Sequence, residues 1–201
     1  MKGLDANQQK AVLDGALKLF EKHHLRDITL EMLTKQTGVA SFDIVRHYHS
    51  SENILKCVLE RELELMAAAA QAPELRMPGE TLNDELRLLA GVILDQYRKR
   101  TPFLSKMLNE TMLNPQVGAL FYGTFIVQGR LLFMEFLKMR KEGGELSDGV
   151  DVEAAAAMFL ASLTGMFMMH EIFGGKQVET FDDERALDAM CGTFLRGVLK
   201  R

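Results

Sequence analysis

The 201-residue chain is 47% hydrophobic, which is sufficient for one large domain or two small ones with a real core and argues against a disordered chain. Its formal net charge of −4 argues against a protein that coats nucleic acid without sequence preference, because neutralised phosphates supply most of that affinity. The longest apolar runs, such as residues 154–167, are shorter than a membrane span, and the N-terminus has no signal-peptide pattern, so we expect a soluble cytoplasmic protein without a membrane partner.

The first predicted helix runs from Asn7 to His23, because apolar residues recur there at helical spacing. Charge is distributed unevenly along the chain. Residues 1–56 hold eight Lys or Arg and seven Asp or Glu, whereas residues 57–201 hold sixteen Lys or Arg and twenty-one Asp or Glu. The N-terminal head, residues 1–56, is therefore near-neutral, and the body, residues 57–201, is acidic. This distribution is consistent with site-specific binding in which only the head approaches phosphates.

The next stretch, residues 29–55, predicts two short helices joined by a tight turn and followed by the start of a third. Thr29 is predicted to cap the first short helix, because its hydroxyl can accept a hydrogen bond from a backbone N–H one turn along. Leu30 and Leu33 are its predicted buried residues. Gly38 is predicted to end the helix, because glycine adopts the left-handed conformation at little steric cost.

The second short helix runs from Ser41 to Tyr48 and is predicted to be the recognition helix of a helix-turn-helix, which enters the major groove. Ser41 is its expected N-cap, and Ile44, Val45 and Tyr48 follow on one side at helical spacing. The outer surface is predicted to carry Phe42, Asp43, Arg46 and His47.

Residues Lys10 to Leu59 resemble the DNA-binding head of the TetR family of bacterial transcriptional regulators. The matching parts are Ala16-Leu17-Lys18-Leu19-Phe20, Thr29, Gly38-Val39-Ala40 and His47-Tyr48-His49-Ser50-Ser51-Glu52. The resemblance implies an all-α homodimer in which an N-terminal three-helix head binds double-stranded operator DNA and a C-terminal helical bundle binds an effector. It implies a transcriptional regulator, most often a repressor.

The resemblance also implies which side chains meet DNA. Arg46 is the leading candidate for a base or phosphate contact, with Phe42 against a thymine methyl group and Asp43 at a cytosine amino group. The predicted contact set is Thr29, Ser41, Phe42, Asp43, Arg46, His47, Tyr48, His49 and Ser51. Phe42, Val45 and Ser51 stand where the family often has a small residue, a tyrosine and a lysine, so a helical module that has lost operator binding is an alternative.

The rest of the chain predicts helices and no strand, so the fold class is all-α. A long helix from Ser51 to Ala70 precedes a Pro- and Gly-containing break at residues 72–79, near which we expect the domain boundary. The predicted domains are residues 1–56, which hold the helix-turn-helix, and residues 57–201, which bind the ligand and dimerise.

Five further helices are predicted in the body. In order, they are Thr81 to Lys99, Pro102 to about Asn109, Pro115 to the residue before Gly143, a helix capped by Asp151 that ends near Phe173, and a last helix opened by Asp182 or Asp183. The buried stripe of the first is predicted to be Leu82, Leu86, Leu89, Ile93 and Tyr97.

Residues 103–173 are dense in Met and Phe, which is typical either of ordinary core or of an adaptable apolar cavity. The family resemblance favours the cavity and a small apolar or aromatic effector. Its predicted lining is Tyr97, Met107, Met112, Phe121, Tyr122, Phe125, Gln128, Met134, Phe159, Met166 and His170. For His170, a satisfied core histidine is the favoured interpretation and a ligand donor the alternative.

Small residues form one face on each of the last two long helices. They are Ala154, Ala157, Ala161 and Gly165 on one helix, and Ala186, Ala189, Met190, Thr193 and Gly197 on the other. Such faces let helix backbones approach closely, either across the two-fold axis of a dimer or within one chain. A dimer is favoured because helix-turn-helix proteins read paired half-sites.

No pattern indicates catalysis, a metal site or a cofactor: a glycine-rich phosphate loop, His or Cys pairs at metal spacing and a Gly-x-Ser-x-Gly turn are all missing from the sequence. Cys57 and Cys191 are predicted to be buried small hydrophobes. We therefore expect that the chain is not an enzyme, and an unrecognised enzyme is the remaining alternative.

Overall fold

The computed structural model describes residues 3–71 and 81–200, and its contacts divide the chain into two compact units. The first comprises residues 1–64 and 102–126, and the second comprises residues 65–101 and 127–201. Within the described ranges the secondary structure is helical, with one isolated β-bridge between Leu146 and Leu199, so the all-α prediction is confirmed. The predicted break at residues 72–79 lies outside the described residues, and the domain boundary after residue 56 stays a prediction.

The first unit contains the N-terminal helices and two helices from later in the chain. Its helices are α1 (Ala6–Phe20), α2 (Leu30–Thr37), α3 (Ser41–Tyr48), the first part of α4 (Ser51–Ala70), α6 (Thr101–Leu113) and α7 (Pro115–Phe121). α6 is longer than the predicted helix and starts one residue before Pro102. A 3₁₀ turn at Leu25–Asp27 joins α1 to α2, and α2 packs against both α1 and α3.

The α1 helix begins with a reciprocal pair of hydrogen bonds. Asp5 accepts from the backbone N–H of Gln8 at 2.9 Å, and the Gln8 side chain accepts from the backbone N–H of Asp5 at 3.0 Å. Gly15 lies at the contact with α2, because a Cβ there would be 2.4 Å from Cγ2 of Thr37. The absence of a side chain at Gly15 therefore sets how closely α1 and α2 pack.

The turn between α2 and α3 follows the sequence prediction at its start and departs from it at its end. The Thr29 hydroxyl accepts from the backbone N–H of Met32 at 3.2 Å, and Gly38 has φ of +71° at the end of α2, as predicted. Ser41 is not the cap of α3: Ala40 holds the N-cap position and makes no side-chain hydrogen bond there. Ser41 is instead the first residue of α3. A residue in that position already has helical backbone angles, so its hydroxyl does not reach the unpaired N–H groups of the first turn.

Two apolar positions on α2 and α3 were assigned to the wrong side. Leu30 is 41% exposed and Val45 42%. The buried residues of these helices are Leu33 on α2, and Ile44 and Tyr48 on α3. On short amphipathic helices, a pattern of 3.6 residues per turn leaves one apolar residue at the edge of the buried stripe.

The second unit contains the end of α4 and four long helices: α5 (Leu82–Lys99), α8 (Val127–Glu142), α9 (Val152–Phe167) and α10 (Asp183–Val198). The starts of α5, α9 and α10 were predicted from caps, and Thr81, Asp151 and Asp182 each accept a hydrogen bond from a backbone N–H in the first turn. In α5 the buried residues are Leu86, Ala90 and Leu94. The prediction was correct at Leu86, but the next two buried residues each lie one position after the predicted Leu89 and Ile93.

Two helical stretches contain a π-helical turn. The stretch that begins at Pro115 passes through a π turn at Tyr122–Ile126 before α8, and α9 continues into a π turn at Met168–Ile172. Each of these stretches, Pro115–Glu142 and Val152–Ile172, contains 18 consecutive residues that could span a membrane by length and composition, with mean hydropathies of 1.4 and 1.6 over those 18 residues. The expectation that the apolar runs are too short was therefore wrong. Only 22% and 28% of these two 18-residue segments is buried within the chain, so much of their apolar surface is exposed.

Candidate functional site

The α3 helix presents a mixed apolar and basic surface. Ile44 and Tyr48 anchor its inner side, being 0% and 5% exposed, while Phe42 is 64% exposed on the outer side. Arg46 and His47 lie on the same outer surface, Arg46 partly buried and His47 exposed. The helix therefore displays a large aromatic ring and a cation at positions that can approach another molecule.

Arg46 is held between two neighbours on α3. Its Nη2 donates to Oδ1 of Asp43 at 3.1 Å, and its guanidinium carbon lies 5.6 Å from the centre of the Phe42 ring. The side chains of Phe42, Asp43 and Arg46 thus form one continuous patch on one side of the helix. The predicted candidates for base contacts are brought together on this patch.

The other predicted DNA contacts have different environments. Tyr48 is buried, and this burial raises the pKa of its hydroxyl to about 12, while the ring packs edge-on against His47 at 4.7 Å. The main role of Tyr48 is therefore to anchor α3 in the first unit, rather than to contact a phosphate. His49 follows α3 with φ of +65°, a conformation uncommon outside glycine, and its N–H donates to the carbonyl of Val45 at 2.8 Å. Thr29 and Ser41 are exposed, and Ser51 is half-buried.

The first unit contains a buried carboxylate that the sequence did not predict. Glu110 of α6 is 5% exposed, and one of its oxygens lies 2.5 Å from Nδ1 of His24, in the segment that follows α1. Lys106, one turn earlier on α6, lies 3.9 Å from the same oxygen. Glu110 is the single acidic residue among residues 103–113, but its partner His24 lies 86 positions away in the sequence.

An ion pair also ties α4 to α1. Nη1 of Arg61 lies 2.8 Å from Oδ1 of Asp14, and Nη2 lies 3.2 Å from the buried carboxylate of Glu62. These contacts join α1 to α4 within the first unit.

The predicted effector-lining residues are divided between the two units. Met107, Met112, Phe121, Tyr122 and Phe125 belong to the first unit, and Tyr97, Gln128, Met134, Phe159, Met166 and His170 belong to the second. Met112 and Tyr122 are 86% and 56% exposed, and Gln128 is also exposed, so these three side chains do not line an interior of the chain. Phe159, Phe121, Phe125 and Met107 are buried.

Within the second unit, one polar pair lies in apolar surroundings. The Tyr97 hydroxyl is hydrogen-bonded to Thr164 of α9, and burial raises its pKa above the usual value despite that bond. The Tyr97 ring packs against Phe167, with 5.4 Å between ring centres. The arrangement gives α5 and α9 a shared polar point that can orient a ligand between apolar side chains.

His170 is not the satisfied core histidine that we favoured from the sequence. Its Nδ1 is buried without a hydrogen-bond partner among the described residues, and its ring stacks on Phe181 at 3.5 Å. The next residue, Glu171, bonds to Nε of Arg98 at 2.6 Å and lies 2.7 Å from Nζ of Lys176. Partial burial alone would raise the pKa of Glu171, but the bonds from Lys176 and Arg98 outweigh it and hold that pKa below its usual value.

The small-residue faces of α9 and α10 lie at the surface of the chain. Ala154 and Ala161 are exposed on α9, and between them Met158 is 70% exposed. On α10, Ala189, Thr193 and Gly197 are exposed, and a Cβ at Gly197 would meet nothing within 4 Å. These residues are therefore not used for close packing within the chain.

Comparison with known proteins gives consistent similarities along the chain. Residues 101–197 match a family model described as the C-terminal domain of AefR-like transcriptional repressors. The HTH-type transcriptional regulator YvkB of Bacillus subtilis (strain 168) is 22% identical over 195 residues, which cover 94% of this chain and 96% of that protein. The HTH-type transcriptional repressor ComR of Escherichia coli (strain K12) is 28% identical over 163 residues, covering 78% and 76%.

Solved structures share the fold over nearly the whole chain. The flavonoid-responsive regulator FrrA superposes with a TM-score of 0.77 at 20% identity, covering 98% of this chain and all of that one. The fatty acid degradation regulator FadR from Bacillus halodurans superposes with a TM-score of 0.72 at 15% identity, covering 98% of each chain. At these identities the structural likeness shows the fold.

Proposed function

The chain belongs to the TetR family of transcriptional regulators, and from that membership we propose that it is a cytoplasmic, homodimeric repressor that releases operator DNA on binding a small effector. The relatives reported above are transcriptional regulators and not enzymes, which agrees with the expectation from the sequence. The observation that carries the proposal is the outer side of α3, where Phe42, Asp43 and Arg46 form one surface above the buried Ile44 and Tyr48.

We propose α3 as the element that enters the major groove. Its N-terminal half carries the exposed ring of Phe42, and recognition helices contact base edges with residues of that half. Thr29, Ser41, His47, His49 and Ser51 surround it as candidate phosphate contacts, whereas the buried Tyr48 acts by holding the helix.

The test of DNA binding is operator selection from genomic fragments, followed by fluorescence anisotropy at several salt concentrations. Arg46→Ala should weaken specific binding by about 1–3 kcal/mol per half-site, because it removes the bidentate donor on α3. Lys99→Ala is the matched control: it also removes one exposed cation, from α5, and should leave affinity unchanged. Equal operator affinity of Arg46→Ala and the wild type would show that α3 is not the recognition helix.

A helical module without operator affinity is the second candidate. It is favoured by Val45 and Ser51, which stand where the family often has a tyrosine and a lysine that contact phosphates. Wild-type protein that retains no genomic fragment even at low salt would establish this alternative, since lowering salt strengthens any phosphate-dependent complex.

We place the effector in the second unit, beside Tyr97 and Thr164. The Tyr97 ring also packs against Phe167, so the hydrogen-bonded pair gives one polar point beside an apolar side chain. The names of FrrA and FadR mention a flavonoid response and fatty acid degradation, so flavonoids and fatty acids are the first probes to use.

The effector proposal is tested by titrating these probes against the operator complex. Tyr97→Phe keeps the ring and removes the hydroxyl, so it should weaken the response while leaving operator affinity intact; Tyr122→Phe, at an exposed hydroxyl, is the control. A ligand shifts an equilibrium only by its differential affinity for the two states. A probe with equal affinity for free protein and for the operator complex would contradict the switch.

A further inference from the structure

Phe42 and Arg46 are joined in one unit on the surface of α3. They are four residues apart, which places their side chains one above the other on the same helix face. The guanidinium lies 5.6 Å from the ring centre, within the range of a cation–π contact, and the Arg46–Asp43 bond of 3.1 Å holds it there from the other side. An aromatic surface, a fork of donors and an acceptor are therefore presented side by side.

We propose that this patch reads two adjacent base pairs, a T·A pair whose thymine methyl group packs on Phe42 and a G·C pair whose guanine is bound by Arg46. The inference rests on the proposed function and specifies the sequence that its α3 helix recognises. Among major-groove edges, only guanine presents two acceptors, O6 and N7, which match the guanidinium fork. Asp43, beside Arg46, is the acceptor that suits the N4 amino group of the paired cytosine.

The thymine assignment follows from the exposure of Phe42. The ring is 64% exposed in the free protein and offers no hydrogen-bonding group, so the feature of a base pair that it can recognise is an apolar one. The thymine methyl is the apolar group in the major groove. The guanidinium lies 5.6 Å from the centre of the Phe42 ring, so we assign Arg46 to the base pair next to the one that Phe42 contacts.

The experiment begins with selection of binding sites from random-sequence duplexes by the wild-type protein. In the selected site, each thymine of one half-site is then replaced singly by uracil, which removes only the methyl group, and affinity is measured by anisotropy. At one position, uracil should lower wild-type affinity about fourfold, the effect of burying one methyl-sized group. Replacing the guanine of the adjacent pair by 7-deazaguanine, which lacks N7, should lower it on the order of tenfold.

Matched variants assign the methyl contact to a residue. Phe42→Ala should bind thymine and uracil sites equally, whereas Val45→Ala, at the other exposed apolar residue of α3, should keep the fourfold difference. Loss of methyl sensitivity in Val45→Ala but not in Phe42→Ala overturns the proposal. Circular dichroism melting is the folding control, and the exposed position of Phe42 predicts an unchanged midpoint.

The two levels of inference fail in different ways. If every thymine tolerates uracil, or if 7-deazaguanine beside the sensitive thymine has no effect, the base-pair reading is overturned while operator binding stands. If random-sequence selection enriches no site, the proposed function fails and the reading fails with it.

Discussion

At the scale of single residues, Gly15 determines how α1 and α2 pack. The Cβ of an alanine there would be 2.4 Å from Cγ2 of Thr37 and 3.2 Å from Cγ of Gln36. Thr37 cannot easily rotate away, because it is β-branched and its hydroxyl donates to the carbonyl of Leu33 at 2.8 Å. A backbone shift is therefore needed to accommodate any side chain at this position.

We expect Gly15→Ala to destabilise the protein by about 1–3 kcal/mol, the usual cost of overpacking, despite the better helix propensity of alanine. The matched control is Gly91→Ala in α5, where the added Cβ would meet its nearest atom at 3.9 Å. That control should be neutral or stabilising by up to about 1 kcal/mol. Denaturant unfolding of both variants measures the difference, and equal stabilities would mean that the α1–α2 contact is looser than the distances indicate.

At the scale of helices, local chemistry explains what the sequence predicted well. Thr29, Gly38, Asp151 and Asp182 each determine a helix end through their own side chain or backbone freedom, so neighbouring residues were sufficient to place them. The π turn at Met168–Ile172 had no such signal, since a π turn is one extra residue in a helix whose composition is unchanged.

The candidate site shows the same limit. The surface of α3 was predictable because it lies within eight consecutive residues, and its members share one helix face. The contact of His24 with Glu110, and the bond of Tyr97 to Thr164, join residues that are far apart in the sequence. A single sequence contains no information on which distant residues meet, so only the polar types of these residues, and not their pairing, could be noted in advance.

At the scale of the whole molecule, the exposed apolar surface of α9 is what the single chain leaves unexplained. Only 28% of the 18-residue apolar segment within Val152–Ile172 is buried inside the chain. Met158 and Met169 are 70% and 58% exposed, and the small residues Ala154 and Ala161 leave room for a second helix backbone beside them. A protein that keeps such a surface in water gains free energy by burying it against a second copy.

We therefore expect the wild-type protein to sediment with twice the 22.6 kDa mass of the chain. Ala161→Glu should convert it to a monomer, because burying an unpaired carboxylate at the centre of the α9 face costs more than the contact yields. Ala119→Glu introduces the same charge at an exposed position of α7 and should remain dimeric. Two heads linked in one dimer bind paired half-sites with the advantage of high effective concentration, so the Ala161→Glu monomer should lose operator affinity on the order of a hundredfold. A wild-type monomer would refute the homodimer, whereas a dimeric Ala161→Glu would move the interface away from α9.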